Sequence, residues 1–591
     1  MRIEKKSNNY EGHEVSRRGS SGSLATLETM DATKKAWFTE RSLLIFCIGL
    51  GAAQAWICRY CMISDGVSYL DIGDAYMRGD WAMAINGYWS PLYSWCLGLA
   101  LSLLKPSIWW EFITVHIVNF IIYLGALFGF RFFLHSVLRA LREEITAAAD
   151  DSAPLPEDAL LALGYSLFLW CSLVLIDVGR VTPDLLVAAI VFLIGGYLVD
   201  LRGNPSYGKF AMFGALNGAA YLGKGIMFPV GFGFLALLLF SGKRSKARIL
   251  GVVLAAVVFL AVSAPFIVAL SKAKGRFTFG DTGKLAYAAM VSPGTPQIHW
   301  QGEPAGSGTP RHATRQILDD PPVFEFGEPV GGTYPPWGDP SYWNEGVKPS
   351  FNLRAQLRVL LQSAFVYEKL LLGQLGLLAG VLIFVFIGAR PTRRAIMSNW
   401  PLLAAACLSL AAYSLVLVIT RYVGASLVLL WVAIFAGIRL PKDEKLERVA
   451  KYVAAAVAVS IVLSVGAHLV DQGYTNLTVG AEPSPKDQVI AALGLERMGL
   501  RAGDKVAVVG YGNLNHWARL GRFRIVAEAA ASGLPAREFW ASSPEHQALA
   551  YERLSSTGAR AVIAWNPPAS AKEPRWKKIS DTNYYAYFFT P

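Results

Sequence analysis

Long apolar runs constrain this chain more than any other feature of its sequence. Runs of roughly 20 mostly apolar residues, the length needed to cross a bilayer as an α-helix, recur about eleven times before residue 471. Because 53% of all residues are hydrophobic and 17% are charged, the composition is not that of an ordinary soluble protein. We therefore predict an α-helical polytopic membrane protein with about eleven transmembrane helices. The predicted spans are about 42–63, 109–131, 158–176, 185–201, 210–223, 226–241, 249–270, 370–389, 399–419, 423–438 and 452–470.

The two ends of the chain differ from this apolar region. Residues 1–38 are polar and rich in Ser, Lys and Glu, which predicts a disordered cytoplasmic tail. Residues 471–591 contain short apolar runs at 505–510, 559–565 and 584–589, typical of strands, and helical patterns at 485–498 and 544–555. We predict three regions: the tail, a transmembrane domain over 39–470, and a soluble α/β domain over 471–591.

Basic clusters indicate how the spans are oriented. The net charge of +12 is concentrated in short loops, at 243–248, 390–394 and 439–451. The positive-inside rule places such loops in the cytoplasm. This assignment holds if the N-terminus is cytoplasmic and if Pro91–Leu104, which is short for a span, is an interfacial or re-entrant helix. The 471–591 domain and the loops 64–108 and 271–352 are then extracytoplasmic, in a multi-pass protein of the inner or plasma membrane. Nucleic-acid binding is not predicted, because no basic face with interleaved aromatic residues is present.

An acidic stretch follows the first span. Residues 64–93 hold four carboxylates, at Asp65, Asp71, Asp74 and Asp80, among aromatic residues. Charges at a membrane face are costly unless they are solvated or paired, so this placement suggests an active site at the membrane surface. Asp71 and Asp74 lie one helical turn apart and could hold a divalent cation, although a solvated face or salt bridges are the favoured interpretation. No cofactor or metal ligand is otherwise predicted.

Charges of both signs are expected on the same face as this stretch. The span count places Arg180, Asp184, Lys224 and Arg421 there, each at the end of a different apolar run or in a short link. Any one of them could simply be an interfacial anchor. Together they suit an anionic, lipid-linked substrate, because Lys and Arg bind phosphate and a carboxylate can act as a general base.

Several short motifs resemble the GT-C membrane glycosyltransferases, specifically the group of lipid A aminoarabinose transferases and protein O-mannosyltransferases. The motifs occur in the family's order over residues 42–245, with a looser match to about 440. They are Asp65 with Tyr69 and Ala75, Gly79-Asp80-Trp81, Asn86-Gly87, Ser90-Pro91-Leu92-Tyr93, Thr182-Pro183-Asp184, Leu222-Gly223-Lys224-Gly225 and Arg421-Tyr422.

The resemblance implies an enzyme that transfers a hexosyl or pentosyl unit from a polyprenyl-phosphate carrier to a glycan, lipid or protein acceptor. By that resemblance Asp65 is the catalytic base or the carboxylate that orients the acceptor, and Asp184 is a second acid in the cavity. Lys224 and Arg421 bind the donor phosphate with help from Arg180, and Tyr69 contributes to substrate binding. Two positions depart from the family pattern: Gly66 replaces its acidic residue, and Ser90 replaces the first of two prolines.

The long loop 271–352 offers further candidates. Aromatic and polar residues alternate around His299 and Trp300, and again at 334–337. Such residues can stack on sugar rings, or they can pack the loop onto the membrane surface. His299 and Trp300 are therefore candidate substrate-binding residues. In the C-terminal domain, Gly510 and Gly512 form a Gly-x-Gly that lacks the third glycine of a dinucleotide fingerprint.

Two other functions are compatible with the same sequence. A non-enzymatic lipid or glycolipid transporter would use the same membrane scaffold, although the internal repeats typical of transporters are not found. A membrane-anchored scaffold whose activity resides in residues 471–591 is the second alternative.

Overall fold

The computed structural model describes residues 40–146, 152–242, 245–292, 298–389, 393–477, 483–529, 536–569 and 575–589. The chain forms two compact units, Met1–Phe46 and Cys47–Pro591. The predicted tail over 1–38 lies outside the described residues. In the first unit, residues 40–46 begin the first helix, and the second unit contains the other elements.

Helices make up most of the described chain and are numbered here in chain order. They are α1 (Glu40–Ile57), α2 (Ser64–Arg78), α3 (Trp81–Ala84), α4 (Pro91–Leu104), α5 (Ile108–Thr146), α6 (Glu157–Trp170), α7 (Asp184–Gly203), α8 (Tyr207–Gly223), α9 (Met227–Phe240), α10 (Lys246–Lys274), α11 (Thr282–Met290), α12 (Pro335–Gly338), α13 (Leu353–Leu372), α14 (Leu375–Phe386), α15 (Arg393–Ser414), α16 (Thr420–Gly437), α17 (Glu444–Leu477), α18 (Pro485–Arg497), α19 (Trp517–Leu520), α20 (Arg537–Ala541) and α21 (Pro544–Ser556).

Seven helices among the described residues are long and apolar enough to cross a membrane, namely α1, α5, α6 with the π-turn that follows it, α7, α10, α16 and α17. The pair α13 and α14, bent by 72°, makes an eighth if it is counted as one broken span. This confirms the prediction of a helical, polytopic, integral membrane protein. Helices α8, α9 and α15 coincide with the remaining predicted spans, and the total of about eleven stays a prediction.

The acidic stretch begins with a helix that is pressed tightly against its neighbour. A Cβ placed on Gly98 of α4 would lie 2.6 Å from the carbonyl oxygen of Gly73 in α2. Two facing glycines therefore let the backbones of α2 and α4 approach closely, as small residues do between membrane helices. Helix α2 ends at Gly79, whose φ of +74° is the left-handed conformation of a helix C-cap. This packing fixes where α2 presents its carboxylates.

A seven-stranded sheet forms the C-terminal part of the fold. Its strand order is β2-β3-β6-β5-β7-β9-β8, with β5 parallel to both β6 and β7 and the other pairs antiparallel. A separate two-stranded pair joins β1 to β4. The strands are β1 (Ser152–Pro154), β2 (Arg315–Leu318), β3 (Val323–Glu325), β4 (Arg439–Pro441), β5 (Lys505–Val509), β6 (Arg524–Ala529), β7 (Ala561–Trp565), β8 (Lys577–Lys578) and β9 (Tyr584–Phe588).

The sheet joins two distant parts of the sequence. Three of its strands, β5, β7 and β9, lie where apolar runs predict them, and α18 and α21 lie where helices are predicted. Strands β2 and β3 come instead from the long loop 271–352: they pair with each other, and β3 also pairs with β6 of the C-terminal region. The loop and the C-terminal region therefore share one sheet, a relation that no local pattern predicts.

Candidate active site

Four charged side chains from four elements form a continuous chain of ion pairs. Arg421, in the first turn of α16, donates from Nη2 to Oδ2 of Asp65 at 2.8 Å. Its Nε lies 3.4 Å from Oδ2 of Asp184, the first residue of α7. Lys224, which follows α8, donates from Nζ to Oδ1 of Asp184 at 2.5 Å. The structure thus brings together four of the five charged residues predicted for the site.

The chain of ion pairs is largely shielded from solvent. The side chains of Asp184 and Arg421 are 3% and 11% exposed, whereas Asp65 and Lys224 at the two ends are each 18% exposed. Two carboxylates balance two cations, which offsets part of the cost of removing charges from water. The ends are the parts of the cluster that a substrate can reach most directly.

Local structure explains how two of these residues reach the site. Asp184 begins α7, where a carboxylate is stabilised by the positive end of the helix dipole. The link before it is held by Asn119, whose amide donates to the carbonyls of Val178 and Arg180 at 3.2 and 3.1 Å. Lys224 leaves α8 in an extended conformation, which directs the chain away from the helix axis at that point.

Aromatic rings enclose the lysine. The Nζ of Lys224 lies 3.2 Å from the ring centroid of Tyr422 and 5.6 Å from that of Tyr413, both within cation–π range. The cavity between these rings, Asp184 and Arg421 measures about 20 Å³, room for a single water molecule. In this conformation that cavity is too small for a phosphate group.

Asp65 has a different donor on each of its two carboxylate oxygens. Arg421 donates to Oδ2, and the indole Nε1 of Trp337, in the long loop, donates to Oδ1 at 3.3 Å.

Tyr69, one turn further along α2 and also predicted for the site, packs edge-to-face against Trp89 and Tyr93. Burial raises the pKa of Tyr69 well above its ordinary value, so its hydroxyl remains a hydrogen-bond donor.

Three predicted site residues lie apart from the ion-pair chain. Arg180 is half exposed and its Nε lies 3.8 Å from Asp177, so its charge is engaged there and its donor-binding role stays a prediction. Trp300 is fully buried and donates from Nε1 to the carbonyl of Glu303 at 2.7 Å. His299 contacts Glu528 through Nε2 at 2.7 Å. Both loop residues are engaged by the protein, and their substrate contacts stay predictions.

Asp71 and Asp74, the two carboxylates considered as ligands of a divalent cation, form salt bridges with arginines. Arg519, from α19, lies 2.8 Å from Asp71, 2.7 Å from Asp74 and 3.0 Å from Glu111 of α5. Arg522 adds contacts to Asp74 and Glu111 at 3.3 and 2.8 Å. These salt bridges agree with the favoured interpretation of Asp71 and Asp74. Among the described residues no group of His, Cys, Asp and Glu could hold a metal ion.

Sequence reasoning missed Arg519. Burial opposes its charge, but the carboxylates of Glu111, Asp74 and Asp71 raise its pKa above the ordinary value. The converse holds for Asp74: burial favours its neutral form, yet the neighbouring arginines outweigh this effect and lower its pKa. The signal that could have revealed the cluster is the pair of arginines within the otherwise apolar segment 517–523, because buried charges need partners.

Steric crowding explains Gly66, the position at which the glycosyltransferases that the motifs resemble carry an acidic residue. A Cβ on Gly66 would lie 2.6 Å from the sulfur of Met62 and 2.8 Å from Cβ of Val181. The segment that leads to Asp184 therefore packs directly against the backbone of α2 at this point. No side chain fits here, so Asp65 is the single carboxylate at this end of α2.

Comparisons with known proteins find structural likeness without sequence matches. No family model matches the chain, and no curated protein matches it in sequence. ArnT from Cupriavidus metallidurans, solved in the apo state and bound to undecaprenyl phosphate, is similar with 13% identity and a TM-score of 0.40. The apo match covers 93% of this chain and 98% of ArnT. An oligosaccharyltransferase from Archaeoglobus fulgidus, tethered to an acceptor peptide, has 12% identity and a TM-score of 0.45, covering 90% of this chain and 69% of its own.

Proposed function

We propose that this protein is a membrane glycosyltransferase that moves a hexosyl or pentosyl unit from a polyprenyl-phosphate carrier to an acceptor. The observation that carries the proposal is the chain of ion pairs from Asp65 through Arg421 and Asp184 to Lys224, enclosed at the ends of apolar helices. A carboxylate and two cations held a few ångströms apart are the groups that displacement of a sugar from a phosphate requires. The acceptor is a glycan, a lipid or a protein.

Each residue has a role in this proposal. The acceptor hydroxyl gives its proton to Asp65 and its oxygen forms a bond to the anomeric carbon, while the bond from that carbon to the phosphate oxygen breaks. The phosphate leaves with the electron pair, and Lys224 and Arg421 neutralise its charge. Asp184 holds both cations in place before the donor binds. Arg180 assists on the donor side. The direct displacement inverts the anomeric centre, as the family resemblance implies.

The proposal includes an orientation in the membrane. The N-terminus and the basic loops face the cytoplasm, while the site and the region 471–591 face outward. The basic clusters at 243–248, 390–394 and 439–451 support this orientation. No metal enters the proposed mechanism, because the acidic residues Asp71 and Asp74 are engaged by arginines.

The decisive experiment incubates the purified protein with a panel of polyprenyl-phosphate sugars and measures release of the free polyprenyl phosphate. We expect turnover of at least one donor, abolished in Asp65→Asn and retained in Asp80→Asn. Asp80 is a matched control because it belongs to the same acidic stretch, residues 64–93, but its carboxylate caps α3 by accepting from the amide of Met83. No turnover of any donor, or full activity in Asp65→Asn, would refute the proposal. Movement of intact glycolipid across proteoliposomes without bond cleavage would favour the transporter instead.

A further inference from the structure

We propose that Trp337 is a positioning residue for Asp65, and that the C-terminal sheet holds Trp337 in place through residues 333–343, here called the strap. The inference rests on the proposed function, because Asp65 matters only if its carboxylate takes part in the reaction. It assigns to the region 471–591 a task at the active site that needs no contact with substrate.

At Asp65 the strap supplies one of two donors. Trp337 donates to Oδ1 at 3.3 Å, and Arg421 donates to the other oxygen, Oδ2, at 2.8 Å. Without the indole N–H, the carboxylate can rotate and present both oxygens to the guanidinium, the bidentate arrangement that arginine favours. The indole thus keeps one lone pair of Oδ1 directed away from Arg421, where an acceptor hydroxyl can reach it. The direction of this hydrogen bond is what Trp337 contributes.

On one side the strap is bonded to the acidic stretch, residues 64–93, which includes Asp65. The backbone N–H and hydroxyl of Thr333 donate to the two oxygens of Asp71 at 2.8 and 2.9 Å. The carbonyl of Trp337 accepts from Nε1 of Trp89 at 3.3 Å, and the carbonyl of Gly338 accepts from the amide of Asn86 at 2.9 Å. These bonds fix the short helix α12, on which Trp337 lies, against the loop after α2.

On the other side the strap is fastened to the sheet by a buried carboxylate. Glu528 of β6 is 0% exposed and accepts from the hydroxyl of Tyr334 at 2.9 and 3.0 Å. It also accepts from the amide of Gly512 at 2.7 Å and contacts Nε2 of His299 at 2.7 Å. In addition, the amide of Ile525 donates to the carbonyl of Thr333 at 2.9 Å. The strap is therefore held by β6 through both a side chain and the backbone.

The groups that contact Glu528, here called the anchor, are arranged to keep the strap in place. Burial, and then the nearby Glu528 carboxylate, raise the pKa of Tyr334 well above its ordinary value, so the hydroxyl stays protonated and keeps donating. A Cβ on Gly512 would lie 2.4 Å from the ring of Tyr334, so a side chain there would displace the strap. The second glycine of the Gly-x-Gly motif is thereby explained by close packing rather than by nucleotide binding. His299, predicted as a ligand contact, has a place in the same anchor.

A substitution at Trp337 tests the inference against a matched control. Trp337→Phe keeps an aromatic ring but removes the N–H. We expect kcat to fall about 10- to 100-fold, with the KM for the donor changing less than about 3-fold, because a misplaced base lowers the rate of the chemical step. Trp565→Phe is the control: its buried indole lies on β7 of the same sheet and its Nε1 has no hydrogen-bond partner among the described residues, so we expect kcat to stay within about 3-fold of wild type.

Tyr334→Phe tests the anchor at Glu528, because it removes the hydroxyl from which Glu528 accepts while leaving the indole of Trp337 in place. We expect kcat to fall by a smaller factor than in Trp337→Phe, again with little change in the KM for the donor, because the strap loosens but the N–H that points at Asp65 is retained.

A labelling experiment distinguishes failure of this inference from failure of the proposed function. Carbodiimide modification of Asp65 in the full-length protein at one fixed pH, quantified by mass spectrometry, reports how accessible its carboxylate is without any turnover. We expect the modification rate to fall in Trp337→Phe, because both oxygens then face Arg421, and to stay at the wild-type value in Trp565→Phe. An unchanged modification rate and an unchanged kcat in Trp337→Phe would overturn the inference, whereas a lowered modification rate in a protein that turns over no donor would overturn the function alone.

Discussion

Arg519 and Asp71, 448 residues apart in sequence, form a buried ion pair with 2.8 Å between Nη1 and Oδ1. The same guanidinium contacts Asp74 and Glu111, so one arginine of the C-terminal region neutralises a cluster of carboxylates on α2 and α5. Asp71 also accepts from Thr333 of the strap. The region 471–591 is therefore joined to the acidic stretch in two ways, directly by this arginine and indirectly through the strap.

Replacing Arg519 with Leu should strongly destabilise the protein. The arginine side chain is 2% exposed, and its removal leaves Asp71 and Glu111 buried with fewer partners. Breaking a buried ion pair by deleting one partner typically costs about 3–5 kcal/mol. The free energy of unfolding, measured by urea titration in detergent, should fall by about that amount.

Arg560→Leu provides the matched comparison. Arg560 also pairs with an aspartate of the C-terminal region, Asp504, but its side chain is half exposed. An exposed pair contributes less than about 1 kcal/mol. A loss from Arg519→Leu no greater than that from Arg560→Leu would contradict the importance of the buried cluster.

Stability of the C-terminal region should fall as the pH falls from about 6.5 towards 4. Burial lowers the pKa of His516 from 6.5 to about 4, so the folded protein keeps this ring neutral while the unfolded chain takes up a proton. Because the unfolded state binds more protons in this window, the stabilising contribution of His516 is complete above pH 6.5 and is lost on acidification, at about 1.4 kcal/mol per pH unit. The midpoint of thermal unfolding, measured between pH 7 and pH 4, should decline more steeply in wild type than in His516→Gln.

The lowered pKa of Asp74 acts in a different window. Its ion pairs with Arg519 and Arg522 are lost only when the carboxylate protonates, at a pH below the ordinary 3.8. The two residues can therefore be separated in one titration. Equal slopes for wild type and His516→Gln between pH 6.5 and pH 4 would contradict the assignment to His516.

Arg421→Lys should impair transfer although it keeps the charge. The guanidinium reaches Asp65 through Nη2 and Asp184 through Nε, and a single ammonium group cannot hold both in that geometry. We expect kcat/KM for the donor to fall about 10- to 100-fold. Wild-type kcat/KM in Arg421→Lys would exclude a bridging role.

Arg59→Lys is the control for this substitution. Arg59 follows α1, and its described contacts are local, to the carbonyl and ring of Trp56 and the ring of Tyr60. The same chemical change at this position should leave kcat/KM at the wild-type value, because none of the four residues of the ion-pair chain is involved.

Introducing at position 66 the acidic residue of the glycosyltransferases that the motifs resemble should lower donor turnover rather than raise it. A Cβ on Gly66 collides with Met62 and Val181, so Gly66→Glu forces α2 away from the segment that leads to Asp184. Overpacking of this kind typically costs about 1–3 kcal/mol. Donor turnover and the unfolding midpoint should both fall, while Gly208→Ala, which meets no atom within 4 Å, should leave them unchanged. A gain of activity in Gly66→Glu would contradict the steric explanation.

Much of the architecture follows from local sequence signals. Apolar runs of bilayer length predict the membrane helices, and short apolar runs bounded by turn residues predict β5, β7 and β9. The order of the runs also predicts that Asp65, Asp184, Lys224 and Arg421 share one face of the membrane. The same reasoning places the other carboxylates of the acidic stretch there, and only the resemblance to the glycosyltransferase motifs singles out Asp65.

Other relationships depend on contacts between segments hundreds of residues apart, and no local signal specifies them. Strands β2 and β3 are short and lie within a polar loop, so the pairing of β3 with β6 becomes evident only in the sheet. The apolar residues around Arg519 indicate that its charge needs a buried partner, but only the tertiary structure shows that this partner is the cluster of carboxylates on α2 and α5. His299 and Trp300 have the composition of a sugar-binding segment, but packing engages both within the protein.

The sequence by itself therefore determined the membrane helices and the presence of charged residues at their ends, because both are encoded in the length and spacing of apolar runs. Tertiary structure alone decided that Arg421 joins Asp65 to Asp184, that Gly66 has no room for a side chain, and that Trp337 reaches Asp65 from the long loop. The physical reason is that hydrophobicity acts along every stretch of chain, whereas hydrogen bonds and close packing depend on atoms placed within a few ångströms by the whole fold.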